Sequence, residues 1–239
     1  MVGLMGREMV DFFVTKLEFG GVAYIENLIL IVCRMPCIII IQEYMYELSE
    51  VNMREDILNY LCKEVEHRCK LPTNHFGMGC FYHIQAVVKN AEILADSYNA
   101  DKEAVLIAAW LHDIASITDY SLYEDHHIHG AEMAGDILHK FNYSPDKIKL
   151  VQQCIRSHRG SILNSRVTVE ELCVTDADAI SHFDNVPSLL YLAYVNKKMD
   201  IKEGREFVRN KLIRSYEKLS DKSKILYKTK FDQVMNVLN

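Results

Sequence analysis

An all-α fold is what this sequence predicts, and three observations carry that expectation. Helix-disrupting residues are sparse, with four prolines and ten glycines in 239 residues. From Met53 onward apolar residues recur at three- and four-residue spacing, the period of a helix with one buried face. No alternation of apolar and polar residues with turn signals repeats often enough to build a sheet, and there is no internal repeat or low-complexity tract.

The elements follow in order. Leu58, Leu61 and Val65 mark a first helix, which Pro72 punctuates. Cys80, Ile84, Val87, Val88, Ala91 and Leu94 mark a second, and Asp101 can N-cap a third running through Val105, Ala108 and His112. This third segment is apolar on most faces, so it belongs at the centre. Ala131, Ala134, Ile137, Leu138 and Phe141 signal a fourth helix, and Ser144 as N-cap with Pro145 at the first helical position a fifth. Thr168 and Glu171 have capping-box spacing ahead of a helix from Leu172 to Phe183, and two more helices start near Asp200 and Ser220. The tail from Met199 to Asn239 alternates basic and acidic residues and reads as a solvated helical cap.

Residues 1–52 fit the scheme poorly. They lack clear caps and carry the apolar run Leu28 to Ile41, broken by Arg34 and Pro36. A bilayer core asks for about 20 apolar residues, so this run reads as a buried or interfacial segment, with Ile38 to Ile41 equally readable as a short strand. The expected organisation is an N-terminal extension, 1–52, ahead of a helical domain, 53–239. Translation starting at Met53 and a native N-terminal helix docked on the domain are both open readings of the extension.

Composition narrows the partners. A length of 239 residues suits one large domain or one domain with an extension. With a formal net charge of −6, the chain is a poor candidate for coating a nucleic-acid polymer or for polybasic attachment to a membrane. Small anionic substrates remain open, provided that their site is local. The seven cysteines (Cys33, Cys37, Cys62, Cys69, Cys80, Cys154, Cys173) show no CxxC spacing and read as the reduced, mostly core thiols of a cytoplasmic protein. They give no zinc ribbon.

The histidines carry the chemistry. Six of ten, namely His112, His126, His127, His129, His139 and His158, fall between positions 112 and 158, where even spreading would put about two. A single histidine on an apolar helix face is ordinarily a satisfied core or surface residue. Here, however, His83 lies one turn before Val87, His112 follows Val105 and Ala108, and His158 continues the stripe Ile148, Val151, Ile155. Three imidazoles on core-facing stripes need partners, and a shared cation would satisfy them. Asp113, Asp176 and Asp178 sit in equally apolar company beside Leu111, Ile114, Val174, Ala177 and Ile180. A buried carboxylate is costly unless it is paired or binds metal.

His83, the adjacent His112–Asp113 and the downstream Asp178 resemble the H…HD…D pattern of the HD-domain metal-dependent phosphohydrolases, over a motif core of about 75–185. The resemblance implies an HD-domain helical bundle in which His83, His112, Asp113 and Asp178 hold one divalent cation. Asp176 competes for the last position, and the family pattern favours Asp178. Some members carry two further histidines that hold a second metal, and His126 and His158 look like those positions. His127 and His129 could substitute for them or act on substrate. Imidazole and carboxylate ligands suit Mn, Fe, Co, Ni or Zn, with Mg also admissible. A cation with an open position lowers the pKa of bound water from 15.7 toward about 7 and polarises a phosphoryl oxygen.

The implied activity is hydrolysis of a phosphomonoester or phosphodiester of a small molecule, a nucleotide by preference. Asp113 and Asp176 would act in catalysis, Asp176 by orienting or deprotonating the water if it is not a ligand, and Arg159 would stabilise developing charge. One departure bears on this. Many members place a lysine three positions after HD, but here the chain reads His112-Asp113-Ile114-Ala115-Ser116. A cationic phosphate contact must come from elsewhere, and Arg156 and Arg159 are the nearest candidates, unless they are ordinary surface charge at a helix C-terminus. A di-iron oxygenase using the same six ligands and a non-catalytic nucleotide sensor are the alternative readings.

Overall fold

The computed structural model describes residues 23–25, 28–30, 53–159 and 167–239. The chain divides into two compact units, Met1–Met53 and Arg54–Asn239. In the first, β1 (Ala23–Ile25) and β2 (Leu28–Leu30) pair antiparallel, Tyr24 opposite Ile29. Three-residue strands are too short to leave an alternation signal, so the sequence does not announce this hairpin. Most of the apolar run, including Arg34, Pro36 and Ile38 to Ile41, lies outside the described residues, as do Cys33 and Cys37.

The second unit is all-α. It comprises α1 (Glu55–Lys70), α2 (Gly79–Tyr98), α3 (Lys102–Leu111), α4 (Ile114–Thr118), α5 (His126–Lys140) and α6 (Pro145–His158). These are followed by α7 (Val169–Asp184), α8 (Val186–Tyr191), α9 (Ile201–Lys218) and α10 (Asp221–Val237), with a 3-10 turn at Tyr120–Leu122 and a π-helical turn at Leu192–Asn196. α3 is the centre, as its composition demands. Every residue from Glu103 to Leu111 is buried, and the helix packs against α1, α2, α6 and α7. α2 lies along α7, and α5 along α6.

Local chemistry sets the boundaries. The Asp101 carboxylate accepts from the Ala104 N–H at 3.1 Å and caps α3. Asn99 takes the left-handed conformation that ends α2, with φ 52°. Asp200 and Glu203 form a reciprocal capping box on α9. Two cap expectations need correction. Ser144 precedes Pro145 but its side chain makes no cap hydrogen bond. Thr168 Oγ1 accepts from the Glu171 N–H at 3.2 Å, but Glu171 reaches the N–H of Val167 instead of that of Thr168, so the box is half formed.

The short elements α4 and α8 escape the sequence reading because five or six residues give too few turns for a periodicity. α4 matters most. The chain leaves α3 at His112, takes a non-helical conformation at Asp113 (φ −108°, ψ 14°) and restarts at Ile114. This break puts a histidine and an aspartate together at the end of the most buried helix.

Candidate metal centre

Three helices and the α3–α4 break bring one aspartate within reach of four imidazoles. Asp113 Oδ2 lies 3.3 Å from His112 Nε2 and 3.9 Å from His83 Nε2, while Oδ1 lies 3.4 Å from His126 Nε2 and 3.8 Å from His158 Nε2. Asp178 Oδ1 sits 3.4 Å from His83 Nε2. The two oxygens of Asp113 thus face two separate sets, His83 with His112 and His126 with His158.

The opposite edge of each ring is tied down. His112 Nδ1 donates to the Ala109 carbonyl at 2.8 Å, His126 Nδ1 to Tyr123 at 2.7 Å, and His158 Nδ1 to Ile155 at 2.5 Å. His83 Nδ1 donates to Ser181 Oγ at 2.9 Å, whose own hydroxyl donates to the Asp178 carbonyl. A carbonyl can only accept, so in the neutral imidazoles Nδ1 carries the proton and Nε2 presents its lone pair to the centre. Such outer hydrogen bonds fix the tautomer and orientation of metal-binding histidines.

The residues fit a cation. His112 Nε2 is fully buried and has no hydrogen-bond partner. The His126 and His158 Nε2 atoms lie 3.1 Å apart, which for two neutral rings of this tautomer would set lone pair against lone pair. A positive ion relieves both faults at once. Potential ligand atoms converge within 4.8 Å in three overlapping groups: His83, His112 and Asp113; Asp113, His126 and His158; and His83, Asp178 and His182. The carboxylates are ready for this. Burial works against the Asp113 anion, but His112, then His126 and His158, hold its pKa well below the ordinary carboxylate range. Asp178 is likewise held down against burial, by the charge of Lys218 and by the adjacent His83 imidazole. Although burial opposes it, Asp113 also raises His112 to about 9. Burial and the charge of His112 push His158 well down.

Other expected residues are not brought to this centre. Asp176 is fully buried on the opposite face of α7 from Asp178, as a two-residue helical offset requires. Its carboxylate accepts from Ser220, at 3.1 Å from the backbone N–H and 2.5 Å from the hydroxyl. This corrects the expectation that Asp176 competes as a ligand or handles the water. Arg156 is exposed, and Arg159 pairs with Glu124 at 3.3 Å. His129 faces Glu132 at 3.7 Å. His127 is half-buried, its ring 5.9 Å from that of His126. Burial, then the charges of His126 and Arg159, lowers its pKa.

Sequence reading missed the far side of the site. His182 stacks on His83 at 4.8 Å between ring centroids, with the planes 25° apart. An imidazole lone pair lies in its ring plane, so two nearly parallel stacked rings cannot both aim at one nearby ion. His182 therefore serves as a platform for His83, and its Nδ1 lies 3.1 Å from Ser215 Oγ. Lys218 Nζ donates to Asp178 Oδ2 at 2.7 Å. The C-terminal tail is not merely a solvated cap, because α9 packs on α7 at the metal-binding end. The offset of four residues between Asp178 and His182 was the available signal.

No helix among the described residues is long and apolar enough to cross a membrane. In comparisons with known proteins, residues 80–182 match the HD domain family model. An uncharacterized protein of Clostridium beijerinckii is 29% identical over 128 residues, covering 53% of this chain and 71% of that protein. The crystal structure of Bacillus subtilis YpgQ in complex with ADP shares the fold with a TM-score of 0.54 at 16% identity, over 76% of this chain and 93% of the other. A predicted HD superfamily hydrolase from an uncultured Thermotogales bacterium aligns with a TM-score of 0.47 at 23% identity, over 72% and 93%. The matched residues 80–182, which include His83, His112, Asp113 and Asp178, are similar to the HD domain.

Proposed function

We propose that this protein is a metal-dependent phosphohydrolase that cleaves a phosphomonoester or phosphodiester of a small molecule, a nucleotide by preference. The observation that carries the reading is the split of Asp113, with one oxygen toward His83 and His112 and the other toward His126 and His158. His83, His112, Asp113 and Asp178 would hold one divalent cation, and Asp113, His126 and His158 a second. A cation bound there supplies an acidified water and a polarised phosphoryl oxygen.

The chain's own residues do the rest. Backbone carbonyls and Ser181 hold the imidazoles in one tautomer, so little reorganisation is needed when ligands bind. Asp113 is a carboxylate at neutral pH and is the most open member, its side chain 25% exposed against 1% for His112. Substrate therefore approaches from the Asp113 side. His127, whose ring is 5.9 Å from that of His126, and Arg159 would meet the part of the substrate that projects outward. Support for a nucleotide comes from the shared fold with YpgQ, whose crystal structure contains ADP.

The test is metal analysis of anaerobically purified protein, followed by phosphate release from a panel of phosphomonoesters, phosphodiesters and nucleotides. Asp113→Ala should lose metal and at least about 100-fold in hydrolysis, with the helical circular dichroism unchanged. Full hydrolysis by Asp113→Ala refutes the assignment. Oxygen consumption by iron-loaded protein in place of phosphate release would make it an oxygenase.

A further inference from the structure

Cys69 and Cys80 stand at the two ends of the turn between α1 and α2. Cys69 is the last residue but one of α1 and Cys80 the second of α2, and the chain between them folds back through Gly77, at φ 65°. The return brings the two sulfurs to 3.1 Å. Asn74, itself buried, fixes the turn. Its amide donates to the Cys69 carbonyl at 3.0 Å and to Cys80 Sγ at 3.2 Å, and its Oδ1 accepts from the Phe76 N–H at 3.0 Å. Both thiols are therefore held together by contacts made within residues 69–80.

The two sulfurs are not equivalent. Cys69 is 2% exposed whereas Cys80 is half-buried, so a reagent arriving from solvent meets Cys80 first. Cys80 also lies in the first turn of its helix, where the backbone N–H groups and the helix dipole favour a thiolate. The Asn74 amide adds a donor to the same sulfur. Cys69 lies in the last turn of α1, where the dipole favours the neutral thiol. One sulfur is thus placed to be oxidised, and the other, in contact behind it, to resolve the oxidised form.

We propose that Cys69 and Cys80 form a peroxide-responsive thiol pair that closes reversibly to a disulfide. The co-reactant is hydrogen peroxide or another small hydroperoxide. The Cys80 sulfur attacks one peroxide oxygen: an S–O bond forms, the O–O bond breaks, and the departing hydroxide leaves as water with the Cys80 proton. The Cys69 sulfur then attacks that of Cys80: an S–S bond forms, the S–O bond breaks, and a second water carries off the Cys69 proton. Two thiols lose two electrons and two protons, and one peroxide gains them. A disulfide spans about 2.05 Å between its sulfurs, so closure asks for only about 1 Å of approach. Neither thiol belongs to the ligand set of the metal centre, so this inference stands or falls separately from the phosphohydrolase reading.

The experiment treats the reduced full chain with a small molar excess of hydrogen peroxide, blocks the remaining thiols and digests with trypsin without reductant. Cleavage after Arg68, Lys70 and Lys89 puts the two cysteines on separate peptides, Cys69–Lys70 and Leu71–Lys89. Mass spectrometry should find these two joined, lighter by two hydrogens than their sum, and separated again by dithiothreitol. Cys62, also half-buried, is the internal control and should stay reduced at the same dose. Closing this short loop should raise Tm by roughly 6–12 °C, reversibly. In Cys69→Ser the resolving sulfur is gone, so Cys80 should stop at the sulfenic acid and be trapped by dimedone.

The wild-type measurements need no variant and decide the matter even if Cys69→Ser fails to fold. Absence of the joined peptides, oxidation of Cys62 as fast as Cys80, or a link that dithiothreitol does not open would each overturn the proposal. A fall in Tm on oxidation would overturn it as well, because the disulfide would then form only at the expense of the native turn.

Discussion

At the scale of single residues, the chain's unusual feature is how differently neighbouring groups of one type are tuned. Cys69 and Cys80 show it outside the metal centre: their sulfurs are 3.1 Å apart, and the Asn74 amide donates to Cys80 at 3.2 Å. Hydrogen bonding with Cys69, then with Asn74, lowers the Cys80 thiol below its usual 9.0 against the effect of burial. The partner Cys69 goes up, through the same hydrogen bond and through burial. Burial raises Cys62 and Cys154 and pushes Cys173 up to about 12. As pH rises from 7, Cys80 is therefore the first of these five thiols to become a thiolate, the reactive form. Iodoacetamide at pH 8 should label Cys80 before Cys62, Cys154 or Cys173 in peptide mass spectrometry. Labelling of Cys62 first would contradict this account. Little of the tuning is legible in sequence, because Cys69 and Cys80 are eleven residues apart and meet only through the turn between α1 and α2. His83, His112, Asp113 and Asp178 were legible for the opposite reason: each is a polar residue on an apolar stripe, where its cost demands an explanation. Lys218 sits in a tail of mixed charge, where a lysine demands none.

At the scale of elements, α7 presents two carboxylates to two different tasks. Asp178 faces the centre, and Asp176 faces Ser220, the N-cap of α10, whose hydroxyl also accepts from the Ser223 N–H. Asp176 thus ties the turn between α9 and α10 to the core. Removing it would strand a partly buried Ser220 N–H and lose hydrogen bonds to a charged group. Asp176→Ala should cost about 2 kcal/mol of stability, a fall in Tm of roughly 4–8 °C for a domain of this size, with metal content retained. Loss of metal with no change in Tm would return Asp176 to the centre. The Asp-Ala-Asp sequence could not assign the two roles, because what distinguishes them is which neighbouring helix each face meets. Most long helices were readable from their stripes and caps. α4 and α8 were not, being held by packing against neighbours more than by local pattern.

At the scale of the whole molecule, the question is how much of the chain the metal centre needs. The apolar core of the helical unit is continuous from Ile57 in α1 to Leu238 beyond α10. It includes α3, which carries the His112–Asp113 break, and Ile84, Ile155 and Ile180, each on a helix that also carries a site histidine or aspartate. The ligand side chains come from α2, the α3–α4 break, α5, α6 and α7, and among the described residues the hydrogen bonds that orient them come from residues between 83 and 218. A unit with its own core and its own outer hydrogen bonds meets the requirements for independent folding. We therefore propose residues 53–239 as the functional unit. Protein consisting of those residues should keep the helical circular dichroism, bind one to two divalent ions and show cooperative thermal unfolding. Mass spectrometry of the native protein gives the complementary result, since a peptide covering Glu18 to Arg34 would show that the extension is translated. A 53–239 protein that aggregates or binds no metal while the full chain binds it would mean that the extension completes the fold, and the division at Met53 would have to be abandoned.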